Sequence, residues 1–270
     1  MNDERVDLYD TAYSHYASDA EAAVRQGTYG EDIGQSSWMT AGEWLEFASW
    51  AGVSAGRKVL EVGCGSGGPA VYLAERLGCD ITGVDINEHG VSNARTLAAD
   101  RRLAERARFQ RIDANQPLPL PNASFDVVIS NDAMCHIPQR AGVLADWFRL
   151  LRPGGRMLFT DALVVTGLVS HEEIATRSSI GFYLFVPPGM NEQLIKAAGF
   201  ELLRAEDVTE SAAVIATRWH NARARYRTEL VGHEGVTNYE GLQRFLACVR
   251  LLSDERRLSR FCYLAVKPST

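Results

Sequence analysis

A chain of 270 residues, 46% hydrophobic and 23% charged, has a globular composition, with material for one large domain or a core domain carrying a substrate cap. No apolar run approaches the roughly 18 residues of a membrane span, and the charged start Met1-Asn2-Asp3-Glu4-Arg5 has no signal-peptide core behind it, so a cytoplasmic protein with no membrane span is expected. The net charge of −6 speaks against a nucleic-acid partner, because the arginines at Arg101-Arg102 and from Arg218 to Arg227 are broken up by acids and apolar residues and read as solvated helix faces.

Residues 5 to 30 are rich in tyrosine, alanine and aspartate, with Tyr9, Tyr13 and Tyr16 ahead of a helix expected from Ser18 to Gln26. Ser18 is placed to cap it, with Glu21 three residues on, and Gly27 and Gly30 to end it. Gly34-Gln35-Ser36-Ser37-Trp38 reads as a loop. Thr40 caps a second helix to Trp50 with an apolar face of Trp44, Leu45, Phe47 and Ala48. These elements precede the first strand, so residues 1–56 are expected to form a helical lid.

From residue 57 strands and helices alternate, the pattern of a parallel sheet covered on both faces. Strands are expected at Lys58 to Val62, Asp80 to Val84, Ala107 to Ile112, Phe125 to Ser130 and Arg156 to Thr160. Helices fill the gaps from Pro69 to Leu77, from Asn87 to Ala99, and from the loop Asn131 to Pro138 up to Leu151, with Arg152-Pro153-Gly154-Gly155 as a turn. The alternation then breaks at a helix from Glu172 to Ile180 and an aromatic patch of Phe182, Tyr183 and Phe185. A helix from Met190 to Ala198, a strand from Phe200, helices over roughly 208–230 and 238–252, and a last strand from Leu258 to Val266 complete the chain. The expected fold is α/β: a Rossmann-like, seven-stranded, mostly parallel sheet with helices on both faces. Its core spans 57–165, and residues 166–270 carry the remaining strands and a helical cap inserted between strands six and seven.

The first strand runs Val59-Leu60-Glu61-Val62 into Gly63-Cys64-Gly65-Ser66-Gly67-Gly68 and then a helix. Glycines let a ligand lie against bare backbone, and the free N–H groups of a helix N-terminus favour an anionic group. Gly63, Gly65 and Gly68 satisfy G-x-G-x-x-G, with Asp85 about twenty residues on, which also fits a dinucleotide. Glu61 shifts the balance, since a carboxylate at a strand end suits a cationic amine and not a pyrophosphate. The five cysteines form no CxxC pair, so neither zinc nor a disulfide framework is indicated and no metal is expected.

Glu61-Val62-Gly63-Cys64-Gly65-Ser66-Gly67 resembles the first motif of the class I S-adenosylmethionine (SAM) dependent methyltransferases. Val84-Asp85-Ile86 is similar to their second motif, Asp113-Ala114 to their adenine-contacting acidic motif, and Leu150 to Gly155 to their turn before strand five. The resemblance implies SAM as cofactor. Gly63 and Gly65 would lie against the methionine portion and ribose, Glu61 and Asn131 would hold the amino group, and Asp85 would accept from the ribose hydroxyls. Asp113 and Ala114 would pair with the adenine, and Ile86 would pack on its face.

Ser130 to Pro138 follows strand four, where the acceptor usually lies, and lacks the Asn/Asp-Pro-Pro-aromatic run of nucleic-acid base methylation. Its Asp-Ala-x-x-His order, and Tyr29 to Trp38 upstream, resemble the phosphoethanolamine, sarcosine/dimethylglycine and tocopherol methyltransferase-like group. That resemblance implies a small-molecule acceptor and an upstream loop that closes over SAM, placing Gln35 and Ser36 on the cofactor. It implies His136 as base or orienter, Asp132 as partner of the acceptor or of the histidine, and Tyr16 as the upstream catalytic partner. Phe182, Tyr183, Phe185, Trp219 and Tyr226 line the acceptor pocket or form the cap's core. The acceptor reads equally as a small amine or a hydrophobic natural product. A nicotinamide-dependent oxidoreductase and a SAM-binding module without catalysis are the alternatives.

Overall fold

A computed structural model describes residues 6–269; the charged start, residues 1–5, lies outside them. Its seven strands are β1 (Lys58–Val62), β2 (Asp80–Asp85), β3 (Ala107–Arg111), β4 (Phe125–Ser130), β5 (Leu151–Val165), β6 (Glu201–Asp207) and β7 (Leu258–Val266). They form one sheet in the order β3-β2-β1-β4-β5-β7-β6. β7 runs antiparallel to β5 and β6, and the other pairings are parallel. The strand order reverses between β1 and β4, and the crevice outside their carboxyl ends is where such sheets bind ligands.

Helices α3 (Ala41–Ala51), α4 (Gly68–Leu77) and α5 (Glu88–Asp100) cover one face, sharing a core of Trp44, Phe47, Leu73, Val91, Ile81 and Phe109. Helices α6 (Arg140–Leu150) and α8 (Met190–Ala197) cover the other, with Leu144, Trp147 and Ile195 against Leu60, Val128 and Phe159. Helices α1 (Tyr9–Ser14) and α2 (Asp19–Tyr29) precede the sheet, α7 (His171–Arg177) follows β5, and α9 (Thr209–Arg225) and α10 (Arg227–Asp254) lie between β6 and β7. Val24 and Tyr29 of α2, Trp38, Trp219 of α9 and Phe245 of α10 belong to one hydrophobic cluster, so the N-terminal helices and the late insertion share a core. Among the described residues no helix is long and apolar enough to cross a membrane.

The caps follow side-chain chemistry: Ser18, Thr40 and Asn87 each accept a bond from the N–H three residues on. Several boundaries differ from expectation. Helix α2 continues through Gly27, whose missing side chain lets Ala222 of α9 approach, and stops at Gly30 (φ 76°). Strand β5 begins at Leu151 rather than Arg156: Leu151 pairs with Phe125 and Arg156 with Val127, so Arg152–Gly155 bulges out between paired residues. It runs on to Val165 because β7 supplies partners that far. A short 3₁₀ turn, Met134–His136, precedes α6, and Gly235 (φ 77°, ψ 160°) breaks the α10 span into two helices, the second beginning just ahead of the start expected near 238.

That 3₁₀ turn is anchored from beneath. Asp161 on β5 is wholly buried and pairs with Arg140 of α6 at 2.6 Å. Asn191 of α8 bonds to both, and Arg140 Nη2 donates to the carbonyl of Met134 at 3.3 Å. Removing one partner of a buried pair leaves the other charge uncompensated. Asp161→Ala is expected to cost about 3–5 kcal/mol in urea unfolding; a loss under about 1 kcal/mol, the range of exposed ion pairs, would show that the pair does not hold the turn.

Candidate active site

Strand β1 carries Glu61 into the crevice and hands the chain to the glycine loop. The Gly63 and Cys64 N–H groups donate to the Val84 carbonyl, which clamps the loop onto β2. Gly63 has φ 77°, and a Cβ there would sit 2.3 Å from the Ala133 Cβ. A Cβ on Gly68 would lie 2.0 Å from the Ile33 carbonyl oxygen, so the upstream loop rests directly on the N-terminus of α4. Asp85, at the end of β2, accepts from Gly65 N–H and Asn87 N–H, both at 2.8 Å. This fixes the carboxylate at the rim, and burial raises its pKa.

Glu61 is 2% exposed, and its Oε2 has no hydrogen-bond partner. Burial, with Asp85 nearby, pushes its pKa up to about 8. An orphaned buried carboxyl beside a second acid is what a cationic amine would satisfy, so the residues fit SAM and fit a pyrophosphate badly. Ile86, 59% exposed, and Asp113 stand farther along the same edge. Asp113 holds Asn115 with Oδ1, which shapes the turn that also contains Ala114.

Asn131 and Asp132 follow β4. Asn131 Oδ1 accepts from Thr160 and from Arg260 Nη2. Asp132, at φ 54°, has both oxygens committed: Oδ1 to Arg260 Nε and Thr160, both at 2.8 Å, and Oδ2 to the Trp38 N–H at 2.9 Å. Its carboxylate is therefore an anchor between sheet and upstream loop, with little left for an acceptor. Arg260 lies on β7, and sequence reasoning missed it because no local pattern pairs positions 132 and 260.

His136 sits in the 3₁₀ turn. Its Nδ1 is 3.0 Å from the Phe182 carbonyl, which can only accept, so Nδ1 carries the proton. Nε2 is then the acceptor, and the Tyr9 hydroxyl donates to it at 3.0 Å. Burial lowers the His136 pKa to about 4, so the ring is neutral at pH 7. Tyr16, the expected upstream partner, lies elsewhere: its hydroxyl crowds Gly34, and its ring lies under Arg25 at 4.2 Å. Tyr9 and Tyr13 stand one turn apart on α1, with ring centroids 5.9 Å from each other. That i, i+4 spacing was the available signal for Tyr9.

Tyr13 reaches the glycine loop, its hydroxyl 2.6 Å from where a Gly65 Cβ would stand. Asn93 of α5 ties down its carbonyl at 2.7 Å. Gln35 is buried and spends its side chain on the Ile33 N–H and Glu31 carbonyl, so it shapes the loop. Ser36 lines both of two adjoining clefts. One is bounded by Tyr9, Trp38, Asp132, Tyr183, Trp219 and Phe245. Of the expected aromatics, Tyr183 and Trp219 line it; Phe182 is half-exposed outside it, and Phe185 packs in a separate cluster with Leu163 and Leu258. Among the described residues there is no group of three or more His, Cys, Asp or Glu that could hold a metal.

Residues 60–159 match the family described as a methyltransferase domain. The chain is 30% identical over 266 residues to 27-O-demethylrifamycin SV methyltransferase of Amycolatopsis mediterranei, covering 93% of this chain and 95% of that protein. Its fold is similar to the cyclopropane synthase MmaA2 of Mycobacterium tuberculosis, with a TM-score of 0.82 over 97% of this chain and 99% of that one at 15% identity. It is also similar to phosphoethanolamine N-methyltransferase 2 of Haemonchus contortus in complex with S-adenosyl-L-methionine: TM-score 0.79, 21% identity, 96% of this chain and 60% of that one. With the glycine loop, the two strand-end acids and the sheet order already in place, the chain belongs to the class I S-adenosylmethionine-dependent methyltransferases.

Proposed function

We propose that this methyltransferase acts on a small molecule held in the cleft between lid and cap, and that the Tyr9–His136 pair receives the acceptor's proton. The carrying observation is the orientation of His136: the Phe182 carbonyl fixes the tautomer and turns Nε2 toward Tyr9 inside the cleft. The whole-length relative is named for O-methylation of a natural product, and a cleft walled by Trp38, Trp219, Tyr183 and Phe245 suits an apolar acceptor of that kind.

In this reading Glu61 and the Asn131 backbone hold the methionyl amine, and Asp85 takes the ribose hydroxyls. Asp113, Ala114 and Ile86 receive the adenine, Gly63 and Gly65 lie against the methionine portion and ribose, and the loop of Gln35 and Ser36 covers the cofactor. When bound, SAM supplies an electrophilic methyl group on a sulfonium. The protein's work is to align the acceptor and exclude water. Tyr9 passes its proton to His136 Nε2 as it accepts one from the acceptor, and Nδ1 stays on the Phe182 carbonyl. Residues 1–56 act as the lid, 57–165 as the cofactor core and the helices within 166–270 as the cap.

Glu61 is protonated in the ligand-free fold at pH 7 but ionised in the unfolded chain, so the ligand-free protein loses stability as pH rises from 4.5 to about 8. Glu61→Gln removes that slope. Binding of S-adenosylhomocysteine, which carries the same amine, draws the proton off Glu61. Calorimetry in buffers of different ionisation enthalpy is expected to show about one proton released at pH 7 by wild type and none by Glu61→Gln. Equal proton release by both would remove Glu61 from the amine site.

Tyr9→Phe should lower kcat about a hundredfold with unchanged affinity for S-adenosylhomocysteine, measured with an acceptor found by a labelled-methyl screen. Tyr16→Phe should act on cofactor affinity instead, and the reverse pattern would restore Tyr16 as the catalytic tyrosine. Because the His136 pKa lies below its ordinary 6.5, the acid limb of kcat/KM should fall toward pH 4. An inflection at 6.5 would mean that an exposed histidine governs the proton.

A further inference from the structure

Arg177, the last residue of α7, takes no part in the scheme above. It is 2% exposed. The other buried arginines are paired: Arg140 with Asp161, Arg223 with Glu234 and Arg260 with Asp132. Arg177 has no carboxylate partner among the described residues, and its Nη1 meets no hydrogen-bond acceptor. Aromatic faces surround it instead. Its guanidinium carbon lies 4.6 Å from the Tyr183 ring centroid, 5.0 Å from Phe245 and 5.9 Å from Trp38. These contacts offset only part of the cost of burying a cation.

The three rings are also walls of the cleft that holds Tyr9 and Asp132. The one acid on that lining, Asp132, is spent on Arg260, the Trp38 N–H and Thr160. The cleft therefore has a positive charge without a carboxylate partner lying behind its aromatic wall, and a sulfonium donor adds a second. A cationic amine is repelled by both. A phosphate or carboxylate needs several donors to replace its water, and here a single guanidinium faces flat rings. A planar anion with dispersed charge fits both the rings and the cation.

Resting on the methyltransferase reading, we infer that the acceptor is a planar acidic hydroxyl compound, a phenol or an enolised 1,3-dicarbonyl, bound as its oxyanion over the rings that bury Arg177. Its hydroxyl proton leaves through Tyr9 and His136 to solvent. The oxygen lone pair forms one carbon–oxygen bond as the methyl carbon–sulfur bond breaks, and that electron pair stays on sulfur. The methylated product is neutral, so its attraction to Arg177 ends with the transfer, which favours release.

The test uses 4-nitrophenol, whose neutral and ionised forms absorb at different wavelengths, titrated into the complex with S-adenosylhomocysteine. Wild type is expected to bind the phenolate and to lower the pH at which the bound probe ionises. Arg177→Gln should weaken binding at least about tenfold and abolish that shift, and Arg177→Lys should keep part of both. S-adenosylhomocysteine affinity, measured on the same proteins, should be equal in all three; its absence from wild type would count against the cofactor reading itself. The inference is overturned if the wild-type complex binds no phenolate, or if Arg177→Gln binds it as well as wild type. It is also overturned if phosphoethanolamine or benzoate displaces the probe at lower concentration than phenol does, since that would make Arg177 a general anion site.

Discussion

Arg260 is the charge on which the sheet, the N-terminal helices and the insertion between β6 and β7 all close. It leaves β7 fully buried and reaches Asp132 and Asn131 at the end of β4, Glu43 in α3 and Ser211 in α9. A buried guanidinium is tolerated only when its donors are satisfied, and these four groups come from three parts of the chain far apart in sequence. Asp132 extends the arrangement, because its second oxygen receives the Trp38 N–H and so seats the upstream loop. The left-handed backbone at Asp132 (φ 54°) is the local cost of aiming that carboxylate back under the sheet edge.

With the loop seated there, the cleft has two electrostatic ends. Toward β1, Glu61 is an acid without a partner, pushed toward its neutral form by burial. Toward α7, Arg177 is a cation with no carboxylate partner among the described residues and with its Nη1 unsatisfied. Between them His136 is held neutral, with burial and the nearby Arg177 both lowering its pKa. In the proposed reading each of these groups complements one part of the reacting pair, Glu61 the amine of the donor and Arg177 an anionic acceptor, and strongly perturbed buried groups of this kind cluster at functional sites.

The strand-and-helix core was legible because its signals are local. Alternating apolar runs, Asn87, Thr40 and Ser18 as caps, and the acids at strand ends all act over a few residues. The glycine loop was legible for the same reason. What escaped depends on distant partners. Gly27 reads as a helix stop until Ala222 is seen packed against it. Arg152 to Gly155 reads as a turn until β4 is seen pairing on both sides of it. Asp132 reads as a partner of the acceptor or of the histidine, and only the fold brings Arg260 to it across the sheet; Tyr16 reads as the upstream partner, and only the fold sets the Tyr9 hydroxyl against His136.

The division of the Tyr9–His136 pair between two bodies has a mechanistic consequence. His136 belongs to the sheet, held by Arg140 through the Met134 carbonyl, whereas Tyr9 belongs to the N-terminal segment. That segment is fastened at both ends of α1: the Asp7 N–H donates to Asn238 of α10, and the Tyr13 carbonyl accepts from Asn93 of α5. In the proposed reading the proton path depends on α1 lying across the crevice, because the same short helix places Tyr9 on Nε2 and Tyr13 on the glycine loop. A displacement of α1 would break both contacts together, so the proposed proton acceptor and the cover over the glycine loop are built by one element.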